Sequence, residues 1–300
     1  MKVVLAGGTG FLGRPLSETL AADGHEVLVL TRRATNRARN TVAWTPNGDV
    51  GPWASTVDGA AAVVNLAGES IAARRWTAVQ KQKILDSRVQ ATRSIASAIL
   101  SVANPPAVFI NGSAVGYYGP RGDEIVTEDT AAGSDYLARV CVKWEEEAQR
   151  AASGRTRVAC IRTGLPIEKD GGALTPLLLP FKLGLGGPMG SGRQYWPWIH
   201  RQDWIDLVRW TIRTDAAWGA INATAPNPVT NAEFARALGR ALRRPAILPA
   251  PAFALRTLLG EMADALVLSG QRAVPRRAEE GGFTFRYTRV DDALNAIFAR

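Results

Sequence analysis

Two cysteines and two histidines are all that the 300 residues contain. Cys141 and Cys160 are too few, and wrongly spaced, for a zinc site or a disulfide framework, so both read as reduced, packed thiols and no metal is expected. Long apolar runs are missing too. Ala60 to Leu66 and Thr175 to Phe181 fall well short of the roughly 20 residues of a membrane helix. No apolar segment with a cleavage region follows Met1 and Lys2, which argues against a secretory signal and makes the cytoplasm the expected compartment. Repeats and low-complexity tracts are absent, and 46% hydrophobic with 21% charged residues excludes disorder, collagen and coiled coil. The net charge is +9, yet the arginines are scattered, as in Arg74 and Arg75, Arg243 and Arg244, and Arg276 and Arg277. With no basic run interleaved with aromatics, nucleic acid ranks last among the partners.

What is present is an alternation of strands and helices. Lys2 to Ala6 is a short apolar run stopped by glycines, a helix is expected from near Phe11 with Leu12, Leu16 and Leu20 at helical spacing, and Glu26 to Leu30 reads as a second strand. Such a unit puts the two strands parallel. The rhythm continues with strands at Ala61 to Leu66, Ala107 to Gly112 and Arg157 to Arg162, and helices at Thr77 to Val102 and Asp135 to Ala152. This predicts an α/β fold, a doubly wound parallel sheet of the Rossmann type with helices on both faces. After Arg162 come a Gly- and Pro-rich stretch, a helix at Asp203 to Thr214, a strand at Ala220 to Ala223, and a helix at Asn231 to Leu242 with Thr230 as its cap. Residues 1–245 are expected to form the nucleotide-binding core, its late segments contributing to a smaller lobe that residues 246–300 complete.

The strongest chemical signal is Gly7-Gly8-Thr9-Gly10-Phe11-Leu12-Gly13, placed after a buried strand and opening a helix, as a diphosphate cradle must be. Gly7 and Gly10 permit a tight turn and close approach of the diphosphate, Gly13 lets the helix pack closely, and the helix start supplies free N–H groups. Thr31-Arg32-Arg33 follows the second strand where an NAD site would carry a carboxylate for the adenosine ribose. Arg32 and Arg33 suit a 2′-phosphate instead, which makes NADP(H) the expected cofactor. Leu66, Ala67 and Gly68 leave the next strand at the same sheet edge, where small residues let backbone lie against the cofactor.

The glycines spaced by three resemble the extended branch of the short-chain dehydrogenase/reductase superfamily. In that branch Ser113, after its strand, resembles a partner of a substrate carbonyl or hydroxyl, and Tyr117 and Tyr118 open the substrate loop; these three are the candidate catalytic residues. The Tyr-x-x-x-Lys pair that the resemblance leads one to expect is lacking: Val140 stands four residues after Tyr136, and alignment on Glu145 puts Leu137 and Cys141 at the two positions. Tyr136 therefore reads as a packing residue.

Further segments are similar to an atypical group of that branch, the sugar-nucleotide epimerase-like, NAD-dependent epimerase/dehydratase-like family. They are Arg75-Trp76-Thr77 with Lys81, Ser87-Arg88, Ser113 to Gly119, Asp135 to Glu145, Asp170 to Leu174, Trp198-Ile199-His200 with Asp203, Asn222 to Thr230 and Gly281-Gly282-Phe283. The resemblance implies a nicotinamide cofactor and a cleft against a C-terminal lobe, but no particular substrate. Arg193, Trp198 and His200 are candidates for that cleft, with Tyr195 and Trp196 completing an aromatic and cationic wall. For His200, anchoring of the loop before the Asp203 helix weighs above proton transfer. The leading expectation is an NADP(H)-dependent oxidoreductase or epimerase-like enzyme acting on a small molecule. A cofactor-binding regulatory or redox-sensing protein is the alternative.

Overall fold

The computed structural model describes residues 1–32 and 40–299. At its centre strand β1 (Lys2–Ala6) is buried along Val3, Val4, Leu5 and Ala6 because it has a parallel partner on each side: β2 (Glu26–Thr31) and β4 (Ala62–Asn65). A strand covered on both faces tolerates no polar alternation, which accounts for its continuous apolar sequence. Beyond β2 lies β3 (Thr41–Ala43), and beyond β4 follow β5 (Val108–Ala114), the strand Arg157–Thr163 and the edge strand Gly219–Ala223. All seven are parallel. The chain winds outward from β1 to β3, then crosses back to β4. This reversal opens a crevice between β1 and β4 at their carboxyl ends, where ligands gather in doubly wound sheets.

Two apolar layers sandwich the sheet. One holds Leu16 and Leu20 of α1 (Gly13–Ala22) with Trp204, Ile205, Leu207 and Val208 of the helix Arg201–Arg213. The other holds Ala91, Ile95 and Ile99 of α2 (Ala78–Ser101) and Ala148 of α3 (Tyr136–Gln149). The stretch 77–102 is thus one helix, started by the Thr77 side chain accepting from the Gln80 N–H, and Asp135 caps α3 in the same way. Thr230 and Glu233 form a reciprocal capping box on the helix Asn231–Leu242, as the sequence signals. Helix Arg201–Arg213 starts two residues before the expected Asp203, because His200 rather than a hydroxyl or carboxylate caps it.

A third core is distinct from these two layers. Trp196, Trp198, Phe234, Leu238, Leu294 and Ile297 pack together, with helix Asn231–Leu242 against helix Val290–Phe298. Within 246–300, Arg272–Ala273 pairs with Ile125–Val126, while Ala278 and Phe285 join the first sheet layer, so this segment serves both the lobe and the sheet. No described helix is long and apolar enough to cross a membrane.

Candidate functional site

The three glycines of the first turn have different jobs. Gly7 has a φ of +78°, and a Cβ there would lie 2.7 Å from the Leu66 carbonyl, so the turn is wedged against the chain leaving β4. At Gly13 a Cβ would collide with the Gly7 carbonyl oxygen and lie 2.8 Å from the Gly8 Cα; this glycine lets α1 press onto the turn itself. Gly10 differs. Its N–H donates to the Gly7 carbonyl (3.1 Å), but a Cβ would meet only that oxygen, at 3.4 Å, and otherwise open space. Thr9 and Gly10 are exposed, and Leu12 provides no side-chain cap for α1. Uncapped N–H groups and the positive end of the helix thus face space that only a glycine leaves free.

Phe11 forms one wall of the turn. Its ring lies under Gly171 and Gly172, where any Cβ would strike it, and Arg201 sits 5.1 Å above the ring centre. Arg201 also pairs with Glu168 (3.3 Å) and Asp170 (2.5 Å), clamping the hairpin Leu165–Glu168 and Gly171–Gly172 over the cradle.

At the end of β2, Arg32 is exposed and without a partner among the described residues, on the lip of a pocket of about 280 Å³ lined also by Ala43, Trp44, Asn47, Asp49 and Trp53. Arg33 lies outside the described residues, as do Arg37 and Arg39. Leu66, Ala67 and Gly68 reach the same edge as Gly7. Their course is fixed by a buried amide network: the Ala67 N–H donates to Asn65 Oδ1 (3.1 Å), and Asn65 Nδ2 donates to Thr92 Oγ1 (2.9 Å) and Asn111 Oδ1 (2.8 Å).

The expected catalytic segment is placed differently from its reading. Ser113 lies within β5 rather than after it, is 4% exposed, and its hydroxyl donates to Glu145 Oε1 at 2.6 Å. Arg162, directly across the ladder, binds both Glu145 oxygens at 2.9 Å and donates from Nη1 to the Tyr118 hydroxyl (3.0 Å) and the Glu128 carbonyl (3.1 Å). Tyr118 is wholly buried, donates to Asn222 Oδ1 (2.6 Å), and burial pushes its phenol up to about 12. Tyr118 is thus enclosed in the core, and the Ser113 hydroxyl is committed to Glu145. Tyr117 alone keeps an open hydroxyl: its half-buried ring stacks on the Arg162 guanidinium, 3.4 Å from centroid to Cζ, and its oxygen has no hydrogen-bond partner among the described residues.

Tyr136 is a packing residue here. Its hydroxyl donates to the Lys81 carbonyl (2.7 Å), and its ring meets Trp76 edge-on at 5.2 Å. Tyr136→Phe is expected to cost about 1 kcal/mol of stability, the net worth of one hydrogen bond, and to leave nucleotide affinity unchanged; urea unfolding and calorimetry check both. Cys141, at the position aligned with a lysine, is fully enclosed, and burial pushes its thiol up to about 12.

Most of the residues expected to form a wall at the lobe are buried. Trp198 is wholly buried and its indole donates to the Asn227 carbonyl (3.0 Å), while Trp196 packs on Phe234. His200 is 7% exposed, its Nδ1 accepts from the Gln202 N–H (3.0 Å) and its ring lies 4.2 Å from Tyr287. Burial holds this imidazole below its ordinary value, consistent with a neutral acceptor that caps a helix. Only Arg193 of the three cleft candidates faces solvent. Trp196 and Trp198 belong to the third core.

Comparison with known proteins agrees with this geometry. The NAD dependent epimerase/dehydratase family profile matches residues 3–223, and a domain of unknown function, DUF1731, matches residues 250–297. The chloroplastic epimerase family protein SDR39U1 homolog of Arabidopsis thaliana is 42% identical over 99% of this chain and 86% of its own length. Epimerase family protein YfhF of Bacillus subtilis is 37% identical over 100% and 98%. The crystal structure of the human epimerase family protein SDR39U1, solved with NADPH, superposes with a TM-score of 0.92 at 34% identity, covering 99% of both chains.

Proposed function

The chain belongs to the NAD dependent epimerase/dehydratase family, and from that premise we propose that it binds NADP(H) along the carboxyl edge of its sheet and acts as an oxidoreductase or epimerase-like enzyme on a small molecule. The observation that carries this reading is the cradle. Gly10 opens onto uncapped N–H groups at the start of α1, a space a Cβ would enter and a diphosphate fits. The residues present suit the group: the first turn would hold the diphosphate, Ala67 and Gly68 would lie along the adenosine side, and Arg32, exposed at the end of β2, would take the 2′-phosphate. NADPH accompanies the human relative in its crystal structure. When bound, the cofactor supplies hydride chemistry; the chain orients the reactants and provides any proton. Tyr117 is the residue of the Ser113 to Tyr118 segment with a hydroxyl free for that task.

Replacing Arg32 and Arg33 together with alanine is expected to weaken NADPH while leaving NADH binding as it was, because a 2′-phosphate is all that distinguishes the two ligands. Fluorescence titration with each nucleotide checks this; an equal loss for both would contradict the assignment.

A second reading, a cofactor-responsive protein without turnover, draws on the commitment of the Ser113 and Tyr118 hydroxyls to Glu145 and Asn222. NADPH oxidation against a panel of carbonyl compounds separates the two. Turnover that is lost in Tyr117→Phe at unchanged NADPH affinity supports the enzyme. Tight NADPH binding with no oxidation across the panel supports the responder.

A further inference from the structure

Helix Asn231–Leu242 buries Phe234, Ala237 and Leu238 in the third core, while Arg236, Arg240 and Arg243 recur at intervals of four and three and are exposed. Together with Arg244 and Ile247 they line a pocket of about 390 Å³. None of these residues belongs to the glycine turn, the end of β2 or the Ser113 to Tyr118 segment, so the cofactor reading gives the pocket no task. From 234 to 260 the chain has five arginines and no acidic residue.

The charge of the pocket is only partly offset. Arg240 donates from Nε and Nη2 to Asp291 Oδ1 (2.9 and 2.5 Å), and Arg244 donates from Nε to the Lys182 carbonyl (3.0 Å). Glu233, one turn before Arg236, attracts it at a distance, but Glu233 Oε2 accepts from the N–H and hydroxyl of Thr230 in the capping box. The side chains of Arg236 and Arg243 have no hydrogen bond or ion pair among the described residues. Like charges three and four residues apart on a helix repel. The negative end of the helix accounts for cations in its last turn, and leaves Arg236, nearly two turns earlier, unexplained.

Arg243 adds a second observation. It ends the helix at φ +54° and ψ +47°, the only non-glycine residue with a positive φ among the described residues. Its N–H donates to the Arg240 carbonyl (3.0 Å) and the Arg244 N–H to the Gly239 carbonyl (2.9 Å), a helix ending that glycine ordinarily fills. An arginine there strains the backbone, and strain of this kind gathers where a side chain is needed for binding.

We propose that this pocket binds a phosphate monoester whose remainder is apolar. Guanidinium groups pair bidentately with phosphate oxygens, and the volume lies in the range of pockets for organic ligands, roughly 300–1,000 Å³. The rim is apolar: Leu183, Leu185, Ile247 and Leu248 are all exposed, and the Leu248 N–H donates to the Gly186 carbonyl (3.1 Å), which holds the two segments side by side. A free ester and the headgroup of a phospholipid offer this same chemistry.

Glycerol 3-phosphate and phosphatidic acid present one monoester, free and in a membrane. Calorimetric titration with the first, and co-sedimentation with phosphatidylcholine vesicles with and without the second, distinguish the sources. Arg243→Gly is expected to raise the melting temperature, because glycine takes a positive φ freely, so a loss of ligand in it is not a loss of fold. Adding Arg236→Gln to Arg243→Gly is expected to weaken binding at least about tenfold. Lys83→Gln with Lys143→Gln, which removes equal charge from exposed positions on α2 and α3, should leave binding unchanged. Capture by phosphatidic acid vesicles assigns the headgroup, and binding of glycerol 3-phosphate alone assigns a free ester. Equal losses in the arginine and lysine variants, or no binding of either probe by the unmodified protein, overturn the site.

Discussion

Gly10→Val is expected to abolish NADPH binding in a protein that still folds. Gly10 does not have a positive φ, so a side chain brings no left-handed strain, and a Cβ would touch nothing but the Gly7 carbonyl oxygen at 3.4 Å. The branched side chain would instead fill the approach to the first turn of α1. Charge-assisted hydrogen bonds are worth about 1.5–3 kcal/mol each, so losing two of them to the diphosphate lowers affinity roughly a hundredfold or more. Gly13→Ala should show the opposite division. Its Cβ meets the backbone of Gly7 and Gly8, and such overpacking typically costs about 1–3 kcal/mol, so stability falls first. Calorimetry and urea unfolding on the two variants check the pair; wild-type NADPH affinity in a folded Gly10→Val protein would remove the cradle assignment.

Arg162→Ala should be the most destabilising single substitution at the site. Glu145 has an exposure of 13% at its side chain and would lose both guanidinium bonds, keeping only the Ser113 hydroxyl. Tyr118 would lose a donor, and Tyr117 the cation under its ring. Breaking a buried ion pair by deleting one partner costs about 3–5 kcal/mol, because the remaining charge stays unpaired. Urea unfolding measures it, and the double variant Arg162→Met with Glu145→Leu should recover much of the loss. A cost below about 1 kcal/mol for Arg162→Ala, the range of a solvated surface pair, would mean that this network is not the internal brace described.

The sheet was legible because each of its long elements carries its own signal. A run such as Lys2 to Ala6 has only one stable use, between two strands, and Thr77, Asp135 and Thr230 announce their helices by side chains that satisfy backbone N–H groups. Thr41–Ala43 was missed: three residues at a sheet edge are too few for a period. The cradle was legible for the same reason as the strands, since glycine is needed there on backbone grounds alone. How the hydroxyls of Ser113 to Tyr118 are oriented was not legible, because sequence adjacency does not say which way a side chain points. Successive residues of β5 face opposite sides of the sheet, and Ser113 points toward Glu145. A signal was available in Arg-Val-Ala-Cys-Ile-Arg-Thr, where Arg162 ends an otherwise apolar buried strand and so requires a buried carboxylate. Tryptophans near the lobe invited a cleft reading, but their size makes them core residues first.

Thr31-Arg32-Arg33 follows β2 in place of an acidic residue, and Arg32 stands on the lip of a pocket that Asp49 also lines, so NADP(H) is expected to bind at the carboxyl edge of the sheet in preference to NAD(H). Calorimetric titration of the unmodified protein with NADPH and with NADH, in one buffer at fixed salt, tests it most directly. One site per chain with NADPH bound at least about tenfold more tightly, a difference of 1.4 kcal/mol or more, is the predicted result; equal affinities for the two nucleotides, or no heat with either, would contradict it.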